Sequence, residues 1–146
     1  MMFREMNESD LAQVLTIERN AYSHPWTEGN FKDSLVGSDE VWLLELDGEV
    51  VGHGVISAAV GEAHLLNICV ARQHHRKGLG RAILEFVIER AKQLGATVMF
   101  LEVRESNTSA IALYLAEGFR TIGSRKNYYP FGSEREHAVV MSLSID

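Results

Sequence analysis

The sequence predicts a mixed α/β layered domain, and three observations support this fold class. Apolar residues recur at helical spacing in residues 9–22 and 80–94. Apolar or alternating runs typical of strands lie between and after these segments. An Asp47-Gly48 pair joins two of the runs and is a strong β-hairpin signal. Helices and strands in this order are expected to pack as layers around one sheet.

The N-terminal half is predicted to contain two helices followed by three strands. Ser9 and Thr27 are good N-cap residues and mark the two helix starts. The helices are predicted to cover residues 9–22 and about 25–35. The strands are predicted to cover residues 41–46, 50–59 and 63–70.

The C-terminal half is predicted to continue as helix, strand, helix and two strands. The clearest helix covers residues 80–94 and stops at Gly95, and a second helix covers residues 107–117 and stops at Gly118. The strand between them, residues 97–103, is almost continuously apolar, as expected of a strand covered on both faces. The last two strands, residues 119–128 and 137–143, are predicted to pair antiparallel.

Length and composition limit the classes of protein. The 146 residues fit a single domain covering residues 1–146, and no linker-like or repeated segment divides them. A net charge of −6 argues against direct nucleic-acid binding. Cys69 is the only cysteine, no apolar run approaches the ~20 residues that span a bilayer, and the first residues lack the apolar stretch of a secretory signal. A cytoplasmic protein without membrane contacts is therefore expected.

A basic, glycine-containing segment joins a predicted strand to the start of the longest helix. Its cations and glycines lie within residues 72–81, and no acidic residue occurs between Glu62 and Glu85. Helix N-termini attract anions, and glycine allows the backbone to approach a phosphate closely. A solvated glycine turn remains the alternative. A Walker A loop is excluded because Arg81-Ala82 follows Gly80, and a dinucleotide fingerprint would need a small residue at Ile83.

Two further residues are candidates for acid–base chemistry, each with a structural alternative. Glu102 lies near the end of an apolar strand, where burial would raise the pKa of a carboxyl group, but on the residues alone an ion pair with Arg104 is the preferred explanation. Tyr114 shares a helical face with Ile111 and Leu115 and could be an ordinary core residue. The six histidines show no metal-ligand spacing with cysteines, so no metal is expected.

Together these segments resemble the GNAT acetyltransferase superfamily over nearly the whole chain. The resemblance is carried by Ile68-Cys69-Val70, Arg76-Lys77-Gly78-Leu79-Gly80-Arg81, Leu101-Glu102-Val103-Arg104, Asn107 with Ala110-Ile111-Ala112-Leu113-Tyr114, and Glu117-Gly118-Phe119. Three more segments are similar to family members that acetylate the N-terminal alanine of a small-subunit ribosomal protein: His24-Pro25-Trp26-Thr27, Leu65-Leu66-Asn67-Ile68 and Asn127-Tyr128-Tyr129-Pro130. The fold that the resemblance implies has a mixed central sheet of about six to seven strands flanked by helices.

The resemblance also implies a role for each motif. Acetyl-coenzyme A would be the co-substrate, bound through the backbone of Ile68, Cys69 and Val70, the amides of Arg76, Lys77, Gly78, Leu79, Gly80 and Arg81, and Asn107. Glu102 would be the general base and Tyr114 the general acid. Trp26, Tyr128 and Tyr129 would frame the groove for the N-terminus of a ribosomal protein.

One position departs from the family pattern, and two other functions stay open. His75 stands where the family commonly has Gln or Arg, which would make cofactor binding depend on pH. The first alternative is an acetyltransferase for another protein N-terminus or a small amine. The second is an acyl-coenzyme A-binding partner in ribosome assembly that does not turn over. A monomer or a weak dimer is expected.

Overall fold

The computed structural model describes residues 1–146 and contains seven strands and four helices. The strands are β1 (Met2–Glu5), β2 (Glu40–Leu46), β3 (Glu49–Ala59), β4 (Glu62–Val70), β5 (Val98–Arg104), β6 (Arg120–Phe131) and β7 (Glu134–Ser144). The helices are α1 (Leu11–Ala21), α2 (Glu28–Val36), α3 (Leu79–Gln93) and α4 (Thr108–Ala116). This confirms the predicted fold class. The helices are all too short or too polar to cross a bilayer.

The strands form one mixed sheet in the order β1-β2-β3-β4-β5-β7-β6. Strands β1, β2 and β3 pair antiparallel, and so do β5, β7 and β6. Strands β4 and β5 pair parallel, which requires a long crossover, and helix α3 lies in that connection. The parallel ladder has only four residue pairs and ends at Leu65 with Leu101. Residues 66–70 therefore continue β4 past the end of the ladder.

The chain divides into two compact units. The first comprises Met1–Ser57 and Leu66–Arg90, and the second comprises Ala58–Leu65 and Ala91–Asp146. Helices α1 and α2 belong to the first unit and helix α4 to the second.

In the first unit, helix α3 packs directly on strand β3 because two positions of that strand have no side chain. A Cβ atom at Gly52 would lie 2.8 Å from both the Ile83 Cδ1 and the Cys69 carbonyl oxygen. One at Gly54 would lie 2.9 Å from the Ile83 Cγ2. Such contacts are too close for carbon atoms, so the sequence needs glycine at both positions. Ile83 and Val87 of the helix are fully buried against this surface.

The start of the chain differs from the prediction in two ways. The four-residue strand β1 was not predicted, because so short a charged segment shows little periodicity. Its Arg4 binds Asp10 at 2.8 Å and Glu45 at 2.6 Å, which holds the strand at the sheet edge. The prediction of Ser9 as a helix cap is wrong, since Asn7 caps the 3-10 turn that precedes α1 and Asp10 bonds back to the Asn7 amide.

In the second unit, strand β5 lies between β4 and β7, and a long hairpin of β6 and β7 completes the sheet. The hairpin extends several residues beyond the predicted strands, to a turn at Gly132 with φ of +60°. Its register shifts between Arg125 and Tyr129, and Asn127 in this interval has φ of +53°. Two extra residues of β6 are accommodated in this interval, so Tyr129 and not Asn127 lies opposite Glu136.

Candidate functional site

The predicted phosphate-binding loop begins where strand β4 ends. At this end of the strand the Ala71 amide donates to the Val51 carbonyl of β3 at 2.7 Å. The Tyr22 hydroxyl donates to the Ile68 carbonyl, and the His75 Nε2 lies 2.8 Å from the Val70 carbonyl oxygen. His75 therefore holds the loop against the strand that precedes it, a contact that the sequence did not predict.

The backbone of this loop has the conformation of an anion-binding turn. Arg76 and Gly78 adopt φ of +66° and +75°, and helix α3 begins at the next residue, Leu79. Residues that alternate between left-handed and ordinary conformations direct successive N–H groups into one concave surface. For Arg76 such a φ is strained, and strain of this kind is concentrated at functional sites. The turn and the helix N-terminus together favour a phosphate group.

Cationic side chains surround the same turn. Arg72, Arg76 and Lys77 are exposed, and the Lys77 Nζ lies 3.1 Å from the His74 Nδ1. Arg81, in the first turn of the helix, is also exposed. Cations at a helix N-terminus oppose the helix dipole unless an anion binds there. The structure thus brings together the loop residues that the sequence singled out.

Glu102 lies in the second unit, on the outward-facing side of strand β5. Its side chain is 32% exposed, and its Oε1 accepts a hydrogen bond from Arg125 of β6 at 2.9 Å. The predicted pairing with Arg104 is wrong, because Arg104 instead binds Glu136 at 3.2 Å. The expectation of a buried carboxyl group is wrong as well, since residues on β5 alternate between the two faces. Glu102 is accessible to water.

Tyr114 lies on helix α4 and is 5% exposed. Burial, with a smaller contribution from Tyr129, raises the pKa of its hydroxyl group well above the usual value. The ring packs at 5.7 Å from that of Phe119. Leu115, predicted on the same buried face, is 52% exposed, so the helix buries a narrower face than predicted. The Tyr114 hydroxyl keeps its proton at neutral pH.

Asn107 caps helix α4. Its Oδ1 accepts a hydrogen bond from the Ala110 amide at 3.3 Å, as its residue type predicts. The preceding residue, Ser106, donates its amide to the Glu136 Oε2 at 2.9 Å. Bonds from Ser106, followed by those from Arg104, hold the pKa of Glu136 below its usual value.

The two predicted substrate tyrosines lie together on the β6–β7 hairpin, each beside an arginine. The ring centroids of Tyr128 and Tyr129 are 4.9 Å apart. The Arg125 guanidinium lies 4.2 Å from the Tyr128 ring, and the Arg104 guanidinium lies 4.4 Å from the Tyr129 ring. Burial, followed by the charge of Glu102, raises the pKa of Tyr129 to about 12. Glu102, Arg125 and the two tyrosines therefore form one cluster.

Trp26 lies in the first unit, in the segment between helices α1 and α2, and is half-buried. The adjacent Thr27 caps α2 as predicted, through a capping box with Asn30 at 3.1 and 2.9 Å. The Trp26 amide donates to the Glu18 Oε2 at 2.9 Å.

Several residues that organise these sites were not found from the sequence. Glu18, His53 and Asn67 come from three separate elements, and their only signal is a polar residue within an apolar run. Three more were also missed: Tyr22, which bonds Ile68; Arg125, which bonds Glu102; and Glu136, which bonds Arg104. Glu18, His53 and Cys69 place one ligand atom each within 4.8 Å of the others, so the set could hold a metal ion. Both Glu18 oxygens, however, already accept hydrogen bonds from N–H donors.

The chain is similar to known proteins over nearly its whole length. Residues 11–119 match the model of the acetyltransferase (GNAT) family. A [ribosomal protein bS18]-alanine N-acetyltransferase of Escherichia coli strain K12, an enzyme of the RimI type, is 36% identical over 140 residues, covering 96% of this chain and 95% of the relative. The crystal structure of the ribosomal-protein-S18-alanine N-acetyltransferase from Escherichia coli superimposes with a TM-score of 0.92 at 35% identity, covering 99% of this chain and 94% of that one. An acetyltransferase structure from Salmonella typhimurium with its cofactor acetyl-CoA shares the fold at 21% identity, with a TM-score of 0.81 and coverage of 100% and 94%.

Proposed function

Because this chain belongs to the GNAT acetyltransferase family, we propose that it transfers the acetyl group of acetyl-coenzyme A to a protein N-terminal amine. The acceptor we propose is the N-terminal alanine of a small-subunit ribosomal protein, as named for the relatives in the comparisons. The observation that carries the proposal is Glu102, a water-accessible carboxylate beside the aromatic hairpin. The whole chain serves this reaction as one domain.

Acetyl-coenzyme A binds at the basic turn and at the end of strand β4. The amides of residues 76–81 receive the pyrophosphate, for which the left-handed Arg76 and Gly78 give a suitable concave backbone. The backbone of residues 68–70 pairs with the pantetheine arm, and the end of the β4–β5 ladder at Leu65 supports this. Asn107 contacts the same arm in addition to capping its helix.

Glu102 acts as the general base through a water molecule. An α-amine with a pKa near 7.7–8.0 is roughly one-third neutral at about pH 7.5, whereas a lysine amine near 10.4 is about one-thousandth neutral. A carboxylate that reaches solvent is sufficient for the α-amine, and this favours an N-terminus over lysine. Arg125 donates a hydrogen bond to the Glu102 carboxylate, so a positive charge lies next to the proposed base.

Tyr114 supplies the proton for the leaving group. The neutral amine nitrogen forms a bond to the thioester carbonyl carbon, and the carbon–sulfur bond then breaks. The sulfur takes the Tyr114 proton, while Glu102 accepts the proton lost by the amine through water. The Tyr114 hydroxyl is protonated at neutral pH before each turnover. After transfer, Glu102 releases its proton to solvent and Tyr114 regains one, which restores both residues. The products are an N-acetylated peptide and coenzyme A with a free thiol.

The acceptor peptide is held by aromatic residues. Tyr128 and Tyr129 lie beside Glu102, and Trp26 keeps part of its surface exposed at the start of helix α2. Aromatic side chains give large contact areas with little loss of conformational freedom.

A peptide acetylation assay tests the proposal. The substrate is a synthetic peptide that begins with alanine and copies the start of the organism's own bS18 protein. The matched control is the same peptide with a blocked N-terminus and free lysines. We expect transfer to the free N-terminus alone. Transfer to another amine would favour the small-amine or other N-terminus alternative, and coenzyme A binding without any transfer would favour the non-catalytic partner.

A further inference from the structure

The first unit contains a buried polar cluster that the transfer reaction does not use directly. Glu18 of helix α1 is 1% exposed, and three donors reach its carboxylate. Oε1 lies 2.9 Å from the His53 Nε2 and 3.0 Å from the Asn67 Nδ2, and Oε2 accepts from the Trp26 amide at 2.9 Å. We call these four residues the Glu18 cluster. A carboxylate at this depth costs free energy unless such donors satisfy it.

Within the cluster, Glu18 is connected to Trp26 by two routes. The first is the hydrogen bond to the Trp26 backbone amide. The second is a chain of rings, in which Trp26 packs on Phe31 at 5.1 Å and Phe31 meets the edge of His53 at 5.5 Å. His53 then returns to Glu18 through its Nε2. Both the backbone and the ring of Trp26 are therefore held by contacts that lead to one carboxylate.

A stable core does not require a charged group here. Well-packed apolar residues in place of a buried ion pair are often neutral or stabilising. The carboxylate provides what an apolar side chain cannot, an acceptor for the amide of a residue that lies outside any helix or strand. The nitrogen His53 Nδ1 is buried without any partner, so the ring remains in an environment that does not satisfy it fully. The cluster therefore binds the Trp26 amide while one of its own buried nitrogens stays unpaired.

We infer that Glu18 is a positioning residue for the acceptor peptide. It acts by fixing Trp26 just before the N-terminus of helix α2. The inference rests on the proposed function, in which Trp26 contacts the acceptor. Glu18 is buried and touches neither reactant. Its loss should therefore weaken peptide binding more than it slows the chemistry at Glu102.

Kinetics of Glu18→Gln test this role. The variant keeps the shape of the side chain but puts an NH₂ group against N–H donors. We expect the KM for an alanine-initiated peptide to rise about tenfold or more, with kcat within about threefold of the parent. The Kd for acetyl-coenzyme A should stay within about twofold.

Ser34→Ala is the matched control. Ser34 is 4% exposed, and its hydroxyl donates to Asp39 at 2.9 Å near the other end of helix α2. Its removal should lower Tm while the peptide KM stays within about twofold of the parent. An equal KM for Glu18→Gln and Ser34→Ala would overturn the inference, because Glu18 would then contribute to stability alone.

A second variant and a second readout keep the test decisive if Glu18→Gln does not fold. His53→Gln keeps a donor toward Glu18 but removes the ring that contacts Phe31, so the peptide KM should rise about threefold to tenfold. With Trp42→Phe as background, Trp26 is the only tryptophan. Both Glu18→Gln and His53→Gln should then shift the Trp26 emission to longer wavelength and increase its quenching by acrylamide.

An unchanged KM together with unchanged emission in His53→Gln would contradict the inference. A parent protein that acetylates no peptide would contradict the proposed function instead, and the emission of Trp26 would still show whether the cluster fixes it.

Discussion

Glu18 and Glu102 are both carboxylates on regular elements, yet their surroundings are opposite. Glu18 is 1% exposed and accepts three hydrogen bonds within the first unit. Glu102 has a side chain that is 32% exposed, and its Oε1 meets one exposed arginine in the second unit. A carboxylate whose oxygens are fully engaged holds other groups in place, whereas one that reaches water can exchange protons with a substrate.

Because of this difference, variants of the two carboxylates should change different measured quantities. Changes at Glu102 and Tyr114 should act on kcat with little loss of stability or cofactor affinity. Changes within the Glu18 cluster should act on peptide KM and on Tm. A mainly KM and Tm effect at Glu102 or Tyr114, or a mainly kcat effect in the Glu18 cluster, would contradict this comparison.

The largest expected effect is that of Glu102→Gln on catalysis. A positioned base contributes about 10²–10⁴-fold, so kcat should fall by one to three orders of magnitude, roughly, while acetyl-coenzyme A binding stays nearly intact. Steady-state kinetics with the alanine-initiated peptide measure this. The control is Glu105→Gln, which changes an exposed carboxylate just past the end of strand β5. A kcat within about twofold of the parent would remove Glu102 from the role of base.

Tyr114→Phe should also lower kcat by roughly one to three orders of magnitude, because the leaving sulfur loses its proton donor. The phenyl ring keeps the contact with Phe119, so calorimetric Kd values for acetyl-coenzyme A should match those of the parent. A large loss of cofactor affinity at unchanged kcat would mean that Tyr114 is a core residue and not an acid.

A third carboxylate, Glu136, extends the comparison to stability. Its pKa is lowered by Ser106 and Arg104, so it stabilises the fold when ionised, above its usual pKa near 4.5, and loses that contribution as the pH falls through the lowered value. Glu136→Gln should cost about 1 kcal/mol of unfolding free energy at neutral pH. Urea titrations should show the difference between parent and variant shrinking in acid. A difference that does not change with pH would show that the charge of Glu136 is not what stabilises the hairpin.

The smallest effect on stability is expected for Arg125→Ala. The Arg125 side chain is 53% exposed, and an exposed ion pair contributes about 0.2–1 kcal/mol. The peptide KM should nevertheless change, because Arg125 contacts both Glu102 and the Tyr128 ring. Kinetics at low and high salt would measure this. A decrease in Tm larger than that of Glu136→Gln would contradict the view that Glu102, Arg125, Tyr128 and Tyr129 form a surface site.

The sequence predicted a feature correctly where all the residues that form it lie in one short segment. The loop at residues 72–81 combines glycines, cations and a helix start, and the Thr27 cap needs only Asn30 nearby. The sequence failed where the environment of a residue depends on distant elements. Glu102 and Arg104 are neighbours on one strand, but their partners, Arg125 and Glu136, come from the hairpin that pairs next to it. For the same reason the Glu18 cluster was not predicted, since its bonds join residues up to 49 positions apart.

The most direct test of the central claim is to locate the acetyl group on one peptide that carries both a free N-terminal alanine and internal lysines. Tandem mass spectrometry after reaction with acetyl-coenzyme A identifies the modified nitrogen. We predict a single acetyl group on the alanine α-amine with the parent protein, and a greatly reduced yield at the same position with Glu102→Gln. Acetylation of the lysines, or equal yields from parent and variant, would contradict the account.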